Sequence, residues 1–157
     1  MAKRINIDNN YLVPVKSNFD GELIFVGGGY EEHWYSVGEV LTLPWEEIKD
    51  MRKYKRCNFE NNWVVLESTD EYSAAEMYDA LGVGQCYPDA DKFKSLDEVL
   101  AMKPTAMAKY LQEVSENYRE SIAAYAKGLY LSKDKRMDSN AKREAIEKVL
   151  GIDFDEV

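Results

Sequence analysis

The spacing of apolar positions changes part-way along this chain. Up to about residue 66 they fall in short β-branched and aromatic runs: 11–16 (YLVPVK), 22–26 (ELIFV), 33–37 (HWYSV), 39–43 (EVLTL) and 63–67 (WVVLE). Turn chemistry separates the runs, first over Ser17 to Gly21, then at Gly27-Gly28-Gly29, then at Gly38. Short strands punctuated in this way predict a small antiparallel sheet or barrel. Pro14 cannot donate to a ladder, which predicts an edge position for the first strand. One helix interrupts the β pattern over 44–54. Pro44 opens it, Glu46 and Glu47 suit its positive end, and Trp45, Ile48 and Met51 share one face.

Beyond residue 67 the period is helical. Ser68 with Glu71, and Ser95 with Glu98, both fit the capping-box pattern. Gly82 is a natural stop for the first of these helices. Met107, Leu111, Val114, Tyr118, Ile122, Tyr125 and Leu129 then form one stripe at spacings of three and four, with helix-start chemistry at Ser115 marking a break. A last helix is expected from near Asp138 to Leu150, with Ile152 and Phe154 docking back behind Gly151. Strands first and helices after predict an α+β fold. The expected division is a β-rich docking module with one short helix over 1–66 and a helical module over 67–157.

Composition sharpens this picture. The 157 residues fit one domain or two very small ones, and 45% hydrophobic residues argue for an ordered core. The net charge of -9 disfavours contact with phosphate backbones. Residues 1–66 hold 8 Lys/Arg against 10 Asp/Glu, while 67–157 hold 12 against 19, so the helical module reads as the acidic one. Cys57 and Cys86 form no CxxC pair and have no Cys/His cluster around them, which argues against zinc and for two free thiols in a reducing compartment. The opening Met-Ala-Lys-Arg-Ile-Asn has no apolar signal stretch, and no apolar run approaches the ~20 residues of a membrane helix. No cofactor, metal, membrane or nucleic-acid partner is expected.

Few residue groups suggest chemistry. His33 is the single histidine and has Glu31 and Glu32 beside it, but no local Ser or Cys nucleophile. The glycine triplet leads into Tyr30-Glu31-Glu32 and another strand, so it reads as a hairpin tip and not as a phosphate loop. Asp89, Asp91 and Asp97 lack the glycine and the late glutamate of a calcium loop. Lys49 to Arg56 is the one dense basic run, with Tyr54 inside it. Its first reading is charge complementarity with the negative end of a helix. The functional alternative is a dock for an acidic partner or nucleic acid, with Tyr54 available for stacking, and the chain's net charge favours a protein over DNA. Tyr110, Tyr118, Tyr125 and Tyr130 exceed what a small helical core needs, so some are expected at a partner surface.

The runs GELIF, then WYSVGEVLTLPWEEI, then FENNWVVL, followed by ALGV, a Tyr-rich helix and a last helix ending VLGI, resemble small virion proteins of tailed bacteriophages in layout. The most specific pieces are Trp34 to Glu39 and Phe59 to Trp63. Neither is a catalytic motif. The resemblance implies a non-enzymatic structural protein of the head or head–tail region, present in many copies and bound to neighbouring capsid or neck proteins. It would be found in the virion, and in the host cytoplasm during assembly. The candidate contact residues are Trp34, Tyr35, Trp45, Arg52, Lys53 and Trp63, since Trp and Arg dominate binding hot spots. Of the tryptophans, Trp63 is the one most expected in the core. The alternative is a soluble adaptor or inhibitor that presents its acidic helical half to a host protein.

Overall fold

The computed structural model describes residues 5–155; Met1 to Arg4, where the reading of the N-terminus begins, and residues 156–157 lie outside the described residues. The fold is α+β, with antiparallel strands first and a helical region after them. The chain divides into two compact units, Met1–Ser95 and Leu96–Val157.

The N-terminal unit holds strands β1 (Leu12–Ser17), β2 (Leu23–Val26), β3 (Glu31–Trp34), β4 (Val40–Pro44) and β5 (Val64–Leu66), with helices α1 (Trp45–Tyr54), α2 (Cys57–Glu60) and α3 (Ala74–Leu81). The strands form two sheets. One has the order β4-β1-β5 and the other is the β2–β3 hairpin. Val13, Val15, Leu23 and Phe25 point to one core, because alternate residues of a strand face opposite sides.

Several expectations need correction. β1 is the central strand of its sheet and not an edge. Alternation explains how Pro14 is tolerated. The Pro14 carbonyl accepts from Glu67 N at 3.0 Å, so its missing N–H also faces the β5 side, just where that ladder ends at Leu66. The single bond Pro14 cannot make lies beyond the last paired residue and not within the ladder. The third strand comes earlier than its pattern suggested, at Glu31–Trp34, because Tyr35 N turns out to bond Glu39 Oε2 at 2.6 Å. Helix α3 starts at Ala74, so the capping box is Ser73 with Glu76. Ser68 Oγ instead accepts from Ala74 N at 2.9 Å.

The largest correction concerns the boundary. The segment after β5 belongs with the sheets, because Ala74, Met77, Tyr78, Leu81, Val83 and Tyr87 pack into the core of the strands. The division therefore falls after Ser95 and not near residue 67. It also relocates the charge. The N-terminal unit holds 10 Lys/Arg against 17 Asp/Glu, and the helical unit 10 against 12. The acidic part of the chain is the unit that carries the strands.

The helical unit contains α4 (Leu96–Leu100), α5 (Pro104–Glu113), α6 (Glu116–Leu131) and α7 (Asn140–Leu150). The break at Ser115 is present, and the Ser115 side chain caps α6 by accepting from Tyr118 N at 3.3 Å. Met107, Leu111, Tyr118, Ile122 and Tyr125 of the expected stripe are buried. Phe154 is buried too, with its ring centroid 5.3 Å from that of Tyr130. Arg136 ties the unit together. Its guanidinium donates to both Asp134 oxygens, to Asp97 Oδ1 at 2.9 Å and to Tyr125 Oη at 3.0 Å.

Candidate partner-binding surface

The six candidate contact residues do not gather in one place. Trp34 is fully buried, and its indole N–H donates to the Val15 carbonyl at 3.0 Å. Trp45 is 3% exposed. Both are core residues in this fold, because β3 and α1 turn those positions inward. They are withdrawn as contacts. Trp63 is only half-buried, edge-on to Phe19 at 5.0 Å, which reverses the expected ranking of the tryptophans. Tyr35, Arg52 and Lys53 remain exposed, on two separate surfaces.

The first surface is the outer face of the β2–β3 hairpin. Register places Ile24 opposite His33 and Val26 opposite Glu31. Ile24 is 46% exposed, Val26 57% and Tyr35 66%, and Tyr35 stacks on His33 at 5.8 Å. His33 is clamped between two carboxylates, with Nε2 2.8 Å from Glu31 and Nδ1 3.0 Å from Glu22. The bonds to Glu31 and then Glu22 raise its pKa above the ordinary histidine value. The glycine triplet forms the hairpin tip, with Gly27 N donating to Tyr30 O at 3.0 Å. A Cβ at Gly27 would run into the Tyr30 ring, so the tip depends on glycine there. Tyr30 Oη donates to Asp50 at 2.6 Å and pins the hairpin to α1. Burial first, and that bond second, push the Tyr30 phenol upward.

The second surface is the basic end of α1. Met51 keeps to the core stripe, which leaves Arg52, Lys53, Tyr54 and Lys55 outside. Lys49 is held by Asn9 Oδ1 at 2.5 Å and Arg56 by the Gly82 carbonyl at 3.4 Å. Arg52, Lys53 and Lys55 have no carboxylate partner among the described residues. Arg52 and Lys53 lie in the last turn of α1, and Lys55 is its C-cap. The Lys53 ammonium sits 5.2 Å from the centroid of Tyr54, whose ring is 61% exposed.

Among the described residues no group of three or more His, Cys, Asp or Glu is placed to hold a metal ion. Cys57 and Cys86 are free, and burial raises the Cys86 thiol, which opposes nucleophilic use. No helix among the described residues is long and apolar enough to cross a membrane. Compared with known proteins, the chain matches no family model, no curated protein and no solved structure.

Sequence reasoning missed Ile24 and Val26 as exposed. Leu23 to Val26 is apolar at every position, so the pattern alone carries no phase. The helical stripe did place Arg52 and Lys53 outside, because Trp45, Ile48 and Met51 fix which side of α1 faces inward.

Proposed function

We propose that this chain is a non-enzymatic assembly protein: a multicopy structural component of a tailed-bacteriophage particle, in the head or head–tail region, that binds neighbouring virion proteins. The observation that carries the binding part is the basic end of α1. Among the described residues Arg52, Lys53 and Lys55 stand exposed without carboxylate partners, beside an exposed tyrosine, on a unit that holds 10 cations against 17 carboxylates.

A local positive patch on a negative body has two effects. It draws an acidic partner surface into register, and it disfavours approach in other orientations. Tyr54 adds an amphipathic ring of the kind enriched at interfaces. The hairpin face, apolar at Ile24, Val26 and Tyr35 and rimmed by Glu22 and Glu31, offers a second contact of opposite charge. Two faces of opposite sign suit a protein held between neighbours. The particle itself enters through the layout resemblance of Trp34 to Glu39 and Phe59 to Trp63.

The alternative of an acidic adaptor loses its footing, since the helical unit holds 10 cations against 12 carboxylates and is close to balanced. The test of the leading reading is copy number. Quantitative mass spectrometry of purified particles should find many copies per particle. A one-to-one complex with a host protein, and no signal in particles, would overturn it.

A further inference from the structure

The helical unit carries a groove that the assembly reading does not use. It opens between α5 and α7 with a volume of about 410 Å³, and its lining is Ala108, Gln112, Arg119, Ala145, Lys148 and Val149. The room arises from small side chains. Ala108 of α5 and Ala145 of α7 face the gap, and neither is long enough to fill it.

The chemistry of the lining is distinctive for this chain. Among the described residues it includes two cations and no carboxylate, in a protein with 29 acidic residues against 20 basic ones. Arg119 is already fixed, since one of its terminal N–H groups donates to the Gln112 carbonyl at 2.8 Å. Its Nε–H is buried and has no acceptor among the described residues. Buried donors are nearly always satisfied, and this one belongs to an anchored guanidinium that lines the groove.

We propose that this groove binds a glutamate side chain of an acidic segment on a partner protein. The carboxylate pairs with the Arg119 guanidinium, Lys148 supplies a second positive charge from the α7 wall, and the two methylenes lie on Ala108, Ala145 and Val149. A carboxylate fits the planar guanidinium fork. Phosphate has the charge but no aliphatic stem to cover the methyl-lined walls. The groove is open to solvent, whereas sites for free small molecules usually enclose their ligand. Charge complementarity and this openness together favour a peptide side chain over a free acid.

The test is NMR on the full chain, following the Ala108 and Ala145 methyls and the Arg119 Nε–H resonance. The probe is a capped Ala-Ala-Glu-Ala-Ala peptide in the millimolar range, with the Gln version and free glutarate as separate arms. The Glu peptide should move these signals saturably and the Gln peptide should not. Arg119→Gln should weaken binding roughly tenfold, and Lys148→Ala roughly threefold. Should Arg119→Gln disturb the fold, Lys148→Glu on the exposed wall carries the test and should abolish the shifts. No shift with the Glu peptide, or equal shifts with the Gln peptide, would overturn the site. Glutarate binding as tightly as the peptide would make it a small-acid site and overturn the peptide assignment.

Discussion

Tyr78 and Tyr87 stack face to face, with ring centroids 3.8 Å apart and planes 5° from parallel. Both hydroxyls reach the edge of β5 that β1 does not pair. Leu66 N donates to Tyr78 Oη at 2.8 Å, and Tyr87 Oη donates to the Val64 carbonyl. An unpaired strand edge invites wrong pairing. Here the two tyrosines close it from α3 and the loop beyond. Removing one hydroxyl by Tyr87→Phe leaves the Val64 carbonyl buried without its donor and should cost about 1–3 kcal/mol in chemical denaturation. A chain ended at Ser95 should fold by circular dichroism, and one ended at Glu67 should not.

His33 should titrate above the ordinary 6.5, with the midpoint read from its ring protons by NMR. Glu31→Gln should lower that midpoint more than Glu22→Gln, since the bond to Glu31 is the larger cause. The sign follows from the raised value. The clamp's contribution to hairpin stability is fully present below pH 6.5 and is lost as pH rises through the folded pKa.

Glu47 carries the opposite liability. Burial raises its pKa, Glu32 and Asp50 raise it further, and Oε2 is buried without a partner among the described residues. A carboxyl with a raised folded pKa binds more protons folded than unfolded, so stability falls as pH rises through that range. Glu47→Gln should therefore raise Tm at pH 7 by a few degrees, about the effect of 1 kcal/mol at this size. The gain should shrink toward pH 4.5.

In the helical unit, hydrogen bonds from Arg136 pull Asp134 down to about 2. The stability this confers is present above the ordinary 3.8 and is lost as pH falls through about 2. Asp134→Asn should flatten the acid limb of the unfolding curve between those values. Arg136→Ala should cost about 1 kcal/mol, as a networked but half-exposed ion pair does.

The fold class was readable because the apolar period changes from two to between three and four along the chain. The unit boundary was not, because helix α3 looks like any amphipathic helix until Tyr78 and Tyr87 are seen on β5. Pro14 misled for a related reason. A missing N–H shows that one bond is absent, but not that the strand lies at the edge of its sheet. On the surface, helical spacing phased Arg52 and Lys53 outward. Two adjacent aromatics gave no phase for Trp34, which lies in the core while its neighbour Tyr35 is exposed.

The most direct measurement is sedimentation of the tagged chain from its native source through a density gradient, beside an Arg52→Glu/Lys53→Glu variant. The native chain should travel with a megadalton particle. The variant should keep its fold by circular dichroism and detach at least tenfold more readily, since reversing two interface charges replaces attraction with repulsion. Raising salt should loosen the native chain toward the variant, because exposed charges are screened beyond about 8 Å at 0.15 M. A native chain that stays at the top of the gradient at every salt concentration, or a variant that sediments as fully as the native chain, would contradict docking on a particle through the basic end of α1.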